Sequence, residues 1–117
     1  MKDPLSVLVV DDDPAGRAML SLTLRQGGLS VQTASGGEEA MRYLKQMRFD
    51  TLVTDARMHP MNGFELSLRA KKIQPDLRIL MISAVYGEQD AKGFPVDKFF
   101  PKPVPIDNML HWLSAPA

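Results

Sequence analysis

The sequence predicts an α/β fold in which five parallel strands form one doubly wound sheet with helices on both faces. Two observations lead to this expectation. Short apolar runs recur along the 117 residues, and segments with apolar residues at helical spacing lie between them. Because parallel strands need a crossover connection that is usually a helix, this alternation favours a parallel sheet covered on both faces.

The first apolar run, Leu5 to Val10, is short and almost unbroken, which is typical of a strand buried on both faces. Asp13 follows as the predicted cap of a helix, and Pro14 takes the first helical position, where its missing N–H costs nothing. Gly27-Gly28 ends this helix. Four apolar residues form its predicted inward stripe: Ala15, Ala18, Met19 and Leu22.

A weaker strand is predicted at Leu29 to Ala34. Ser35-Gly-Gly-Glu38 then has the spacing of a capping box, which predicts the start of a second helix. The predicted inward side chains of this helix are Ala40, Leu44 and Met47. The third strand is expected at Phe49 to Thr54, and Asp55 stands immediately after it.

The second half of the chain is less regular. A helix is predicted from about Asn62 to Ile73 and a fourth strand at Leu77 to Ile82. Two glycines and a proline between Val85 and Pro95 leave room only for a short helix around Glu88 to Lys92. A brief fifth strand, Lys98 to Phe100, precedes the last helix. The predicted inward residues of that helix are Ile106, Met109, Leu110 and Leu113.

This pattern predicts a flavodoxin-like (βα)5 arrangement, with strand order 2-1-3-4-5 and a shortened fourth helix. No repeat, linker or low-complexity segment interrupts the sequence, so residues 1–117 are expected to form a single domain. Sheets of this type bind their ligands at the carboxyl ends of strands one and three, where the strand order reverses.

Composition narrows the classes of function. Lys+Arg and Asp+Glu both number 14, so the chain lacks the basic surplus expected of a nucleic-acid-binding domain. The absence of cysteine excludes disulfides, thiolate metal sites and thiol catalysis. The first apolar run is too short for a signal-peptide core or a membrane span, so we expect a cytoplasmic protein without membrane attachment.

Polar residues directly follow four of the predicted strands. They are Asp11 and Asp12 after the first strand, Asp55 after the third, Ser83 after the fourth and Lys102 after the fifth. Because the strand ends open onto one edge, these side chains should converge on a single crevice. A hard divalent cation would relieve the repulsion between three carboxylates. A carboxylate nucleophile flanked by that cation and an ammonium group is chemically sufficient for phosphoryl transfer.

At these residues the chain resembles the response-regulator receiver domain of two-component signalling, over essentially its whole length. The matching segments are Val7-Leu-Val-Val-Asp-Asp-Asp-Pro14, Val53-Thr-Asp-Ala-Arg-Met58 with Gly63, Ile82-Ser-Ala84, and Lys102-Pro103. Each segment is weak alone, and their order and separation make the resemblance strong. It implies that Asp55 accepts a phosphoryl group from the phosphohistidine of a sensor histidine kinase or a histidine phosphotransfer protein.

The resemblance also implies roles for the surrounding residues. The ligands of Mg²⁺ or Mn²⁺ would be Asp11, Asp12, Asp55 and the backbone carbonyl of Arg57. Lys102 would bind the phosphoryl group, Ser83 would be the switch hydroxyl and Phe99 the switch aromatic, and the Lys102–Pro103 peptide bond is expected to be cis. The implied protein is a switch rather than an enzyme, apart from its own phosphotransfer and slow autodephosphorylation. It would act on an output partner or effector domain and could form a phosphorylation-dependent dimer.

Two departures from the family pattern keep other interpretations open. Met58-His-Pro-Met-Asn-Gly63 displaces the usual proline by one residue, and the segment from Ser83 to Lys102 is shorter than usual. One alternative is a pseudo-receiver, a phosphorylation-independent interaction module with its pocket unused. A third interpretation rests on Asp11 and Asp13 as an Asp-x-Asp pair rather than on these departures. It is a haloacid-dehalogenase-like phosphatase, although that family needs further motifs and normally a longer chain.

Overall fold

The computed structural model describes residues 3–115. Five parallel strands form one sheet in the order β2-β1-β3-β4-β5. The strands are β1 (Ser6–Val10), β2 (Ser30–Ala34), β3 (Thr51–Asp55), β4 (Arg78–Ser83) and β5 (Lys98–Pro101). The helices are α1 (Pro14–Gln26), α2 (Gly37–Gln46), α3 (Gly63–Ile73) and α4 (Ile106–Ser114), and a short 3₁₀ helix (Glu88–Ala91) lies between β4 and β5. The predicted fold class and strand order are confirmed.

The central strands β1, β3 and β4 are almost completely buried, as expected for apolar strands with helices on both faces. Successive side chains point to opposite faces of the sheet, so two hydrophobic clusters form. One cluster joins β1 and β3 to α2 and α3 and includes Leu8, Leu52, Ala40, Leu44 and Leu66. The other joins the opposite faces to α1 and α4 and includes Val7, Val53, Leu24, Met109 and Leu113.

Helix α1 begins as predicted but buries a different face. The Asp13 carboxylate accepts a hydrogen bond from the Gly16 N–H at 3.0 Å, and Pro14 is the first helical residue. All four residues of the predicted inward stripe are exposed: Ala15, Ala18, Met19 and Leu22. The buried residues of α1 are instead Ser21 and Leu24, and Leu24 packs in the cluster with Val7 and Val53. The prediction was wrong because α1 carries apolar residues on two sides, and periodicity alone does not choose between them.

The start of α2 also differs from the predicted capping box. The Glu39 carboxylate, rather than that of Glu38, accepts a hydrogen bond from the Ser35 N–H at 2.7 Å. The helix begins at Gly37, so the acid that reaches back lies one residue further along the chain. Met47, predicted to point inward, is exposed because it lies just beyond the last helical residue.

The connection between β4 and β5 is short, as predicted. It contains one 3₁₀ segment, Glu88–Ala91, in place of a full helix. Gly93 follows with φ of +86°, a left-handed conformation that favours glycine. In the last helix Met109 and Leu113 are buried, while Ile106, predicted to point inward, is exposed at the first helical position. No helix within residues 3–115 combines the length and the apolar character needed to cross a membrane.

Candidate functional site

The carboxyl ends of the strands meet at one edge of the sheet, and polar residues stand there. Strand register aligns Val10 with Thr54, and Asp55 with Ile82. Asp11 directly follows β1, Asp55 is the last residue of β3, and Lys102 directly follows β5. The topology therefore delivers side chains from well-separated parts of the sequence to one crevice, as expected for a doubly wound sheet.

Asp55 and Lys102 form an ion pair at the centre of this crevice. Lys102 Nζ lies 2.8 Å from Asp55 Oδ2. The Arg57 N–H donates to the other oxygen, Asp55 Oδ1, at 3.2 Å. The Asp55 side chain is only 12% exposed, so the pair is partly shielded from water. This carboxylate is therefore held in one orientation, with an ammonium group beside one of its oxygens.

The loop after Asp55 turns back so tightly that Gly63 approaches the strand end. The Gly63 N–H donates to the Ala56 carbonyl at 2.9 Å. A Cβ at position 63 would collide with the Asp55 carbonyl oxygen and lie 2.9 Å from the Ala56 Cα. The Asn62 side chain caps α3 by accepting from the Glu65 N–H at 2.9 Å. Glycine at position 63 therefore sets the distance between α3 and the end of β3.

Asp11 is the buried acid of the site. Burial is the main cause that raises the pKa of its carboxyl, and the negative charges of Asp55 and Asp13 act in the same direction. The hydrogen bond that Asp11 Oδ1 accepts from the Asp13 N–H at 3.0 Å and the charge of Lys102 oppose this rise. Asp11 is therefore a carboxyl whose negative charge is costly in this position.

Lys102 lies in the same environment, and its pKa is also raised, although burial acts against the rise. Burial by itself lowers the pKa of its ammonium group. The hydrogen bond to Asp55 and the negative charges of Asp55, Asp11 and Asp13 outweigh burial, so the pKa of Lys102 is raised. The ammonium form is consequently favoured, and the site keeps a permanent positive charge beside the Asp55 carboxylate.

Asp12 is exposed and points toward the loop after β3. Its Oδ2 accepts a hydrogen bond from the His59 N–H at 3.3 Å. Within residues 3–115, no three or more His, Cys, Asp or Glu side chains are grouped so that they could hold a metal ion. Lys102 occupies one oxygen of Asp55 and the His59 amide occupies one of Asp12, so these carboxylates are turned toward separate donors.

The chemistry of the donor set nevertheless suits a hard divalent cation. Asp11, Asp12 and Asp55 offer only carboxylate oxygens, and Arg57 lies exposed in the loop directly after Asp55. Mg²⁺ binds through one or two carboxylates and retains several waters, so a complete protein cage is not required. The pKa of Asp11 is raised mainly by burial and further by the negative charges of Asp55 and Asp13, and a bound cation would stabilise its ionised form. The four metal ligands remain a prediction.

Ser83 lies at the end of β4 and is buried. Its Oγ accepts hydrogen bonds from the Val85 N–H at 3.1 Å and the Tyr86 N–H at 2.9 Å. Its carbonyl accepts from the Lys102 N–H at 3.0 Å, which ties β4 to the lysine. The hydroxyl thus organises the loop that follows β4, and its role toward a phosphoryl group remains a prediction.

Phe99 and Phe100 alternate across β5 as expected, with Phe100 buried and Phe99 partly exposed. Phe99 aligns with Met81 of β4, one position before the pairing of Ile82 with Phe100. The Lys102–Pro103 peptide bond is cis, as predicted, and so is the His59–Pro60 bond, which the sequence did not indicate. The proposed switching role of Phe99 remains a prediction.

Two features of the site were missed in the sequence. Gly16 leaves space above the acids, because a Cβ there would lie 3.0 Å from carboxylate oxygens of both Asp11 and Asp13. The site also opens into a cleft of about 440 Å³ whose far wall is apolar and includes Met19, Val104 and Ile106. A glycine in the first turn of α1 was the available signal for the first feature, whereas the second depends on how α1 and α4 pack.

A doubly wound parallel sheet with an acidic crevice and an aspartate–lysine pair defines a class of signalling domains. The family model described as the response regulator receiver domain matches residues 7–114. The chain belongs to this family, so the resemblance seen in the sequence is confirmed. The family is one of signalling switches rather than of enzymes in the usual sense.

Relatives of known sequence place the chain in two-component signalling. It is 36% identical over 123 residues to the transcriptional regulatory protein GlrR of Escherichia coli K12, covering 97% of this chain and 28% of GlrR. It is 33% identical over 111 residues to the autoinducer 1 sensor kinase/phosphatase LuxN of Vibrio campbellii, covering 93% of this chain and 13% of LuxN. The chain thus spans less than a third of the length of these relatives.

Solved structures show the same fold. The chemotaxis protein CheY4 of Vibrio cholerae superposes with a TM-score of 0.86 at 30% identity, covering 94% of this chain and 96% of that one. The response regulator TrrA of Thermotoga maritima, solved in complex with Mg²⁺–BeF, superposes with a TM-score of 0.85 at 27% identity, covering 93% and 96%.

Proposed function

We propose that this chain is a phosphoacceptor switch in which Asp55 receives a phosphoryl group. The observation that carries the proposal is the ion pair at the strand edge, where Lys102 Nζ lies 2.8 Å from Asp55 Oδ2 beside the buried Asp11. A fixed carboxylate with a neighbouring ammonium group has both the nucleophile and the charge stabilisation that phosphoryl transfer requires. The donor is the phosphohistidine of a sensor histidine kinase or of a histidine phosphotransfer protein.

The transfer consumes no reactant other than the phosphohistidine and Asp55. An Asp55 carboxylate oxygen forms a bond to phosphorus, and the bond between phosphorus and the donor imidazole nitrogen breaks, leaving the histidine ring with that electron pair. Lys102 then pairs with a phosphoryl oxygen instead of the free carboxylate, so its charge is never left without a partner. In the slow autodephosphorylation, water attacks the same phosphorus and the bond to the Asp55 oxygen breaks, which releases inorganic phosphate and restores the Asp55 carboxylate.

The reaction is proposed to depend on Mg²⁺ or Mn²⁺. The ion would be held by Asp11, Asp12, Asp55 and the Arg57 carbonyl, and it would supply further positive charge to stabilise the transferring phosphoryl group. The raised pKa of Asp11 supports this assignment, since a bound cation would stabilise a carboxylate whose charge is disfavoured by burial and by the neighbouring charges of Asp55 and Asp13. The relative TrrA, whose solved structure carries Mg²⁺–BeF, supports it independently.

The output of the switch is proposed to pass through Ser83 and Phe99. The Ser83 hydroxyl would donate to a phosphoryl oxygen, and Phe99 would change its burial on β5. Residues 1–117 act as one receiver unit in this proposal, in the cytoplasm and without direct contact to nucleic acid or membrane. Its signal reaches an output partner or an effector domain, and phosphorylation promotes a dimer.

The apolar wall beside the acceptor supports a protein as donor. The exposed side chains of Met19 and Ile106 line the cleft that contains Asp55 and Lys102. Exposed apolar side chains around a polar centre are typical of protein interaction surfaces. A small phosphodonor needs no such wall, whereas a helix that carries a phosphohistidine would cover it.

The test is phosphorylation with acetyl phosphate and Mg²⁺, followed by intact-mass spectrometry. We expect the mass to rise by one phosphoryl group in the wild-type protein and in the matched control Asp76→Asn, which replaces an exposed aspartate outside the crevice. We expect no gain in Asp55→Asn or after removal of divalent cations. Transfer from a phosphorylated histidine kinase then tests the physiological donor.

The same assay distinguishes the two alternative functions, a pseudo-receiver and a phosphatase. A wild-type protein that gains no phosphoryl group from any donor would be a pseudo-receiver. The phosphatase interpretation requires Asp13 in the chemistry, whereas its carboxylate caps α1 through the Gly16 N–H. Phosphatase turnover that Asp11→Asn abolishes and Asp55→Asn preserves would favour the phosphatase.

A further inference from the structure

Strand β2 is an edge of the sheet, so one row of its backbone groups has no neighbouring strand. The Ser30 N–H donates to the residue before β1 at 2.9 Å, and the Ala34 carbonyl accepts from the residue after β1 at 3.2 Å. Because the bonding direction alternates along a strand, the N–H and carbonyl groups of Val31 and Thr33 point to the open edge. Such a row of backbone groups is a template on which another strand can pair.

Two side chains of the same chain occupy both carbonyls at this open edge. Arg25 Nη2 donates to the Val31 carbonyl at 3.1 Å, and Gln32 Nε2 donates to the Thr33 carbonyl at 3.3 Å. Arg25 lies in the last turn of α1, and Val31 packs in the hydrophobic cluster that α1 covers. The Gln32 side chain points to the opposite face of the sheet, because it follows Val31 directly. The edge is therefore capped from both faces.

A third side chain binds the next backbone group along this edge. Ser35 directly follows β2, and its N–H donates to Glu39 Oε1 of α2 at 2.7 Å. Positions 31, 33 and 35 thus each have one backbone group bound by a side chain of the same chain. Their separation of two residues is the period of a strand, so the three bonds follow a single edge. Long polar and charged side chains that cover an edge in this way limit its pairing with other chains.

We propose that Arg25 and Gln32 close the outer edge of β2 against pairing with the same edge of a second copy of this chain. Two β2 edges related by a twofold axis run antiparallel and are self-complementary. With Gln32 opposite its counterpart, Val31 of each copy stands opposite Thr33 of the other, and each such pair exchanges two hydrogen bonds. The acceptors in this pairing are the carbonyls that Arg25 and Gln32 occupy. Removal of these two side chains opens the edge, so that the two sheets can join.

Sedimentation equilibrium tests the closed edge, with unphosphorylated protein so that no phosphorylation-dependent dimer contributes. We expect the double variant Arg25→Ala/Gln32→Ala to dimerise with an association constant roughly tenfold or more above that of the wild type. The reason is that pairing no longer has to break the hydrogen bonds that cap the carbonyls. Arg25→Lys keeps a donor and the charge, so it should stay close to the wild type. Arg48→Ala, which removes an exposed arginine outside this edge, is the matched control for lost charge.

Amide hydrogen exchange locates the contact. In the double variant, the Val31 and Thr33 amides should become protected as protein concentration rises, whereas the Gln32 amide faces β1 and should change little. The single variants Arg25→Ala and Gln32→Ala each open one carbonyl and give the same test if circular dichroism shows that the double variant does not fold. Variants that associate no more than the wild type would overturn the proposal, as would association that leaves the Val31 and Thr33 amides unprotected.

Discussion

At the scale of single residues, Asp11 has the least favourable electrostatic position among the acids of the site. Its carboxyl is buried, it lies close to Asp55 and Asp13, and its pKa is raised. The folded protein therefore binds the Asp11 proton more tightly than the unfolded chain does. Protonated Asp11 is favourable to folding, and its ionisation is not.

This shift predicts a pH dependence of stability. Between the ordinary aspartate pKa of about 3.9 and the raised pKa of Asp11, the folded state holds more protons, so the free energy of unfolding decreases as pH rises through this window. We expect Asp11→Asn to unfold at a higher temperature than the wild type at neutral pH without divalent cations. The difference should disappear below the window.

Thermal unfolding followed by circular dichroism across this pH range measures the effect. Asp76→Asn is the matched control and should follow the wild-type curve, because Asp76 is exposed and lies outside the crevice. An Asp11→Asn protein that is less stable than the wild type at neutral pH would contradict the electrostatic account of the crevice.

Gly63 gives a second prediction at the residue scale. A side chain at this position collides with backbone atoms of Asp55 and Ala56, which cannot move aside as a flexible side chain can. We expect Gly63→Ala to lower the free energy of unfolding by about 2 kcal/mol, within the range for overpacked sites. Gly36→Ala is the control, since its φ is −178° and a Cβ there meets nothing within 4 Å. Equal stability of the two variants in urea denaturation would contradict the predicted collision.

At the scale of secondary-structure elements, Gln74 joins the end of α3 to the turn between α2 and β3. Its Nε2 donates to the carbonyls of Leu44 and Met47 at 2.8 and 2.6 Å, and its Oε1 accepts from the Phe49 N–H at 3.1 Å. One side chain therefore satisfies backbone groups at the end of α2 and at the approach to β3. These groups would otherwise need water or remain unsatisfied.

Truncation of this side chain should be costly. We expect Gln74→Ala to lower the free energy of unfolding by about 1–3 kcal/mol, as for backbone groups left without partners. Gln74→Glu keeps the acceptor for the Phe49 N–H but turns a carboxylate oxygen toward the Leu44 and Met47 carbonyls, so it should be no more stable than Gln74→Ala. Urea denaturation gives the comparison, with Gln26→Ala at the exposed end of α1 as control. A loss no larger than that of the control would show that water replaces these bonds at no cost.

The elements also show where sequence reasoning succeeds and where it fails. Start signals located two helices well: Asp13 caps α1 as predicted, and α3 begins at Gly63, one residue after its predicted start at about Asn62. The orientation of α1 was wrong, because Met19 is 66% exposed and Leu22 is 53% exposed while Leu24 is buried. Helix start and stop signals depend on residues close in sequence. The face that a helix buries depends on the sheet surface it packs against, which distant parts of the chain form.

At the scale of the whole molecule, strand order determined what could be predicted about the site. Placing Asp11, Asp55 and Lys102 at one edge required only the parallel topology, and the structure brings these three together. The directions of the other side chains were not predictable. Asp12 turns to the His59 amide and Ser83 to the loop after β4, and both depend on backbone geometry that no residue pattern encodes.

A divalent cation should stabilise the molecule as a whole. If Mg²⁺ binds the folded acidic crevice and not the unfolded chain, Mg²⁺ at ten times its Kd should add about 1.4 kcal/mol to the free energy of unfolding. We expect the melting temperature of the wild type to rise across millimolar Mg²⁺ and the gain to shrink in Asp11→Asn. A melting temperature that stays flat in the wild type would contradict a shared cation site.

The hydrogen bonds of Ser83 have a thermodynamic consequence. If its hydroxyl moves toward a phosphoryl group on Asp55, the Val85 and Tyr86 amides lose their acceptor and the loop they belong to is released. Coupling between two sites is reciprocal. If the bond between Ser83 and the phosphoryl group raises the affinity of a partner for the released loop, binding of that partner must favour the bond by the same factor. A partner that binds this loop would thus help to stabilise the phosphorylated state that it recognises.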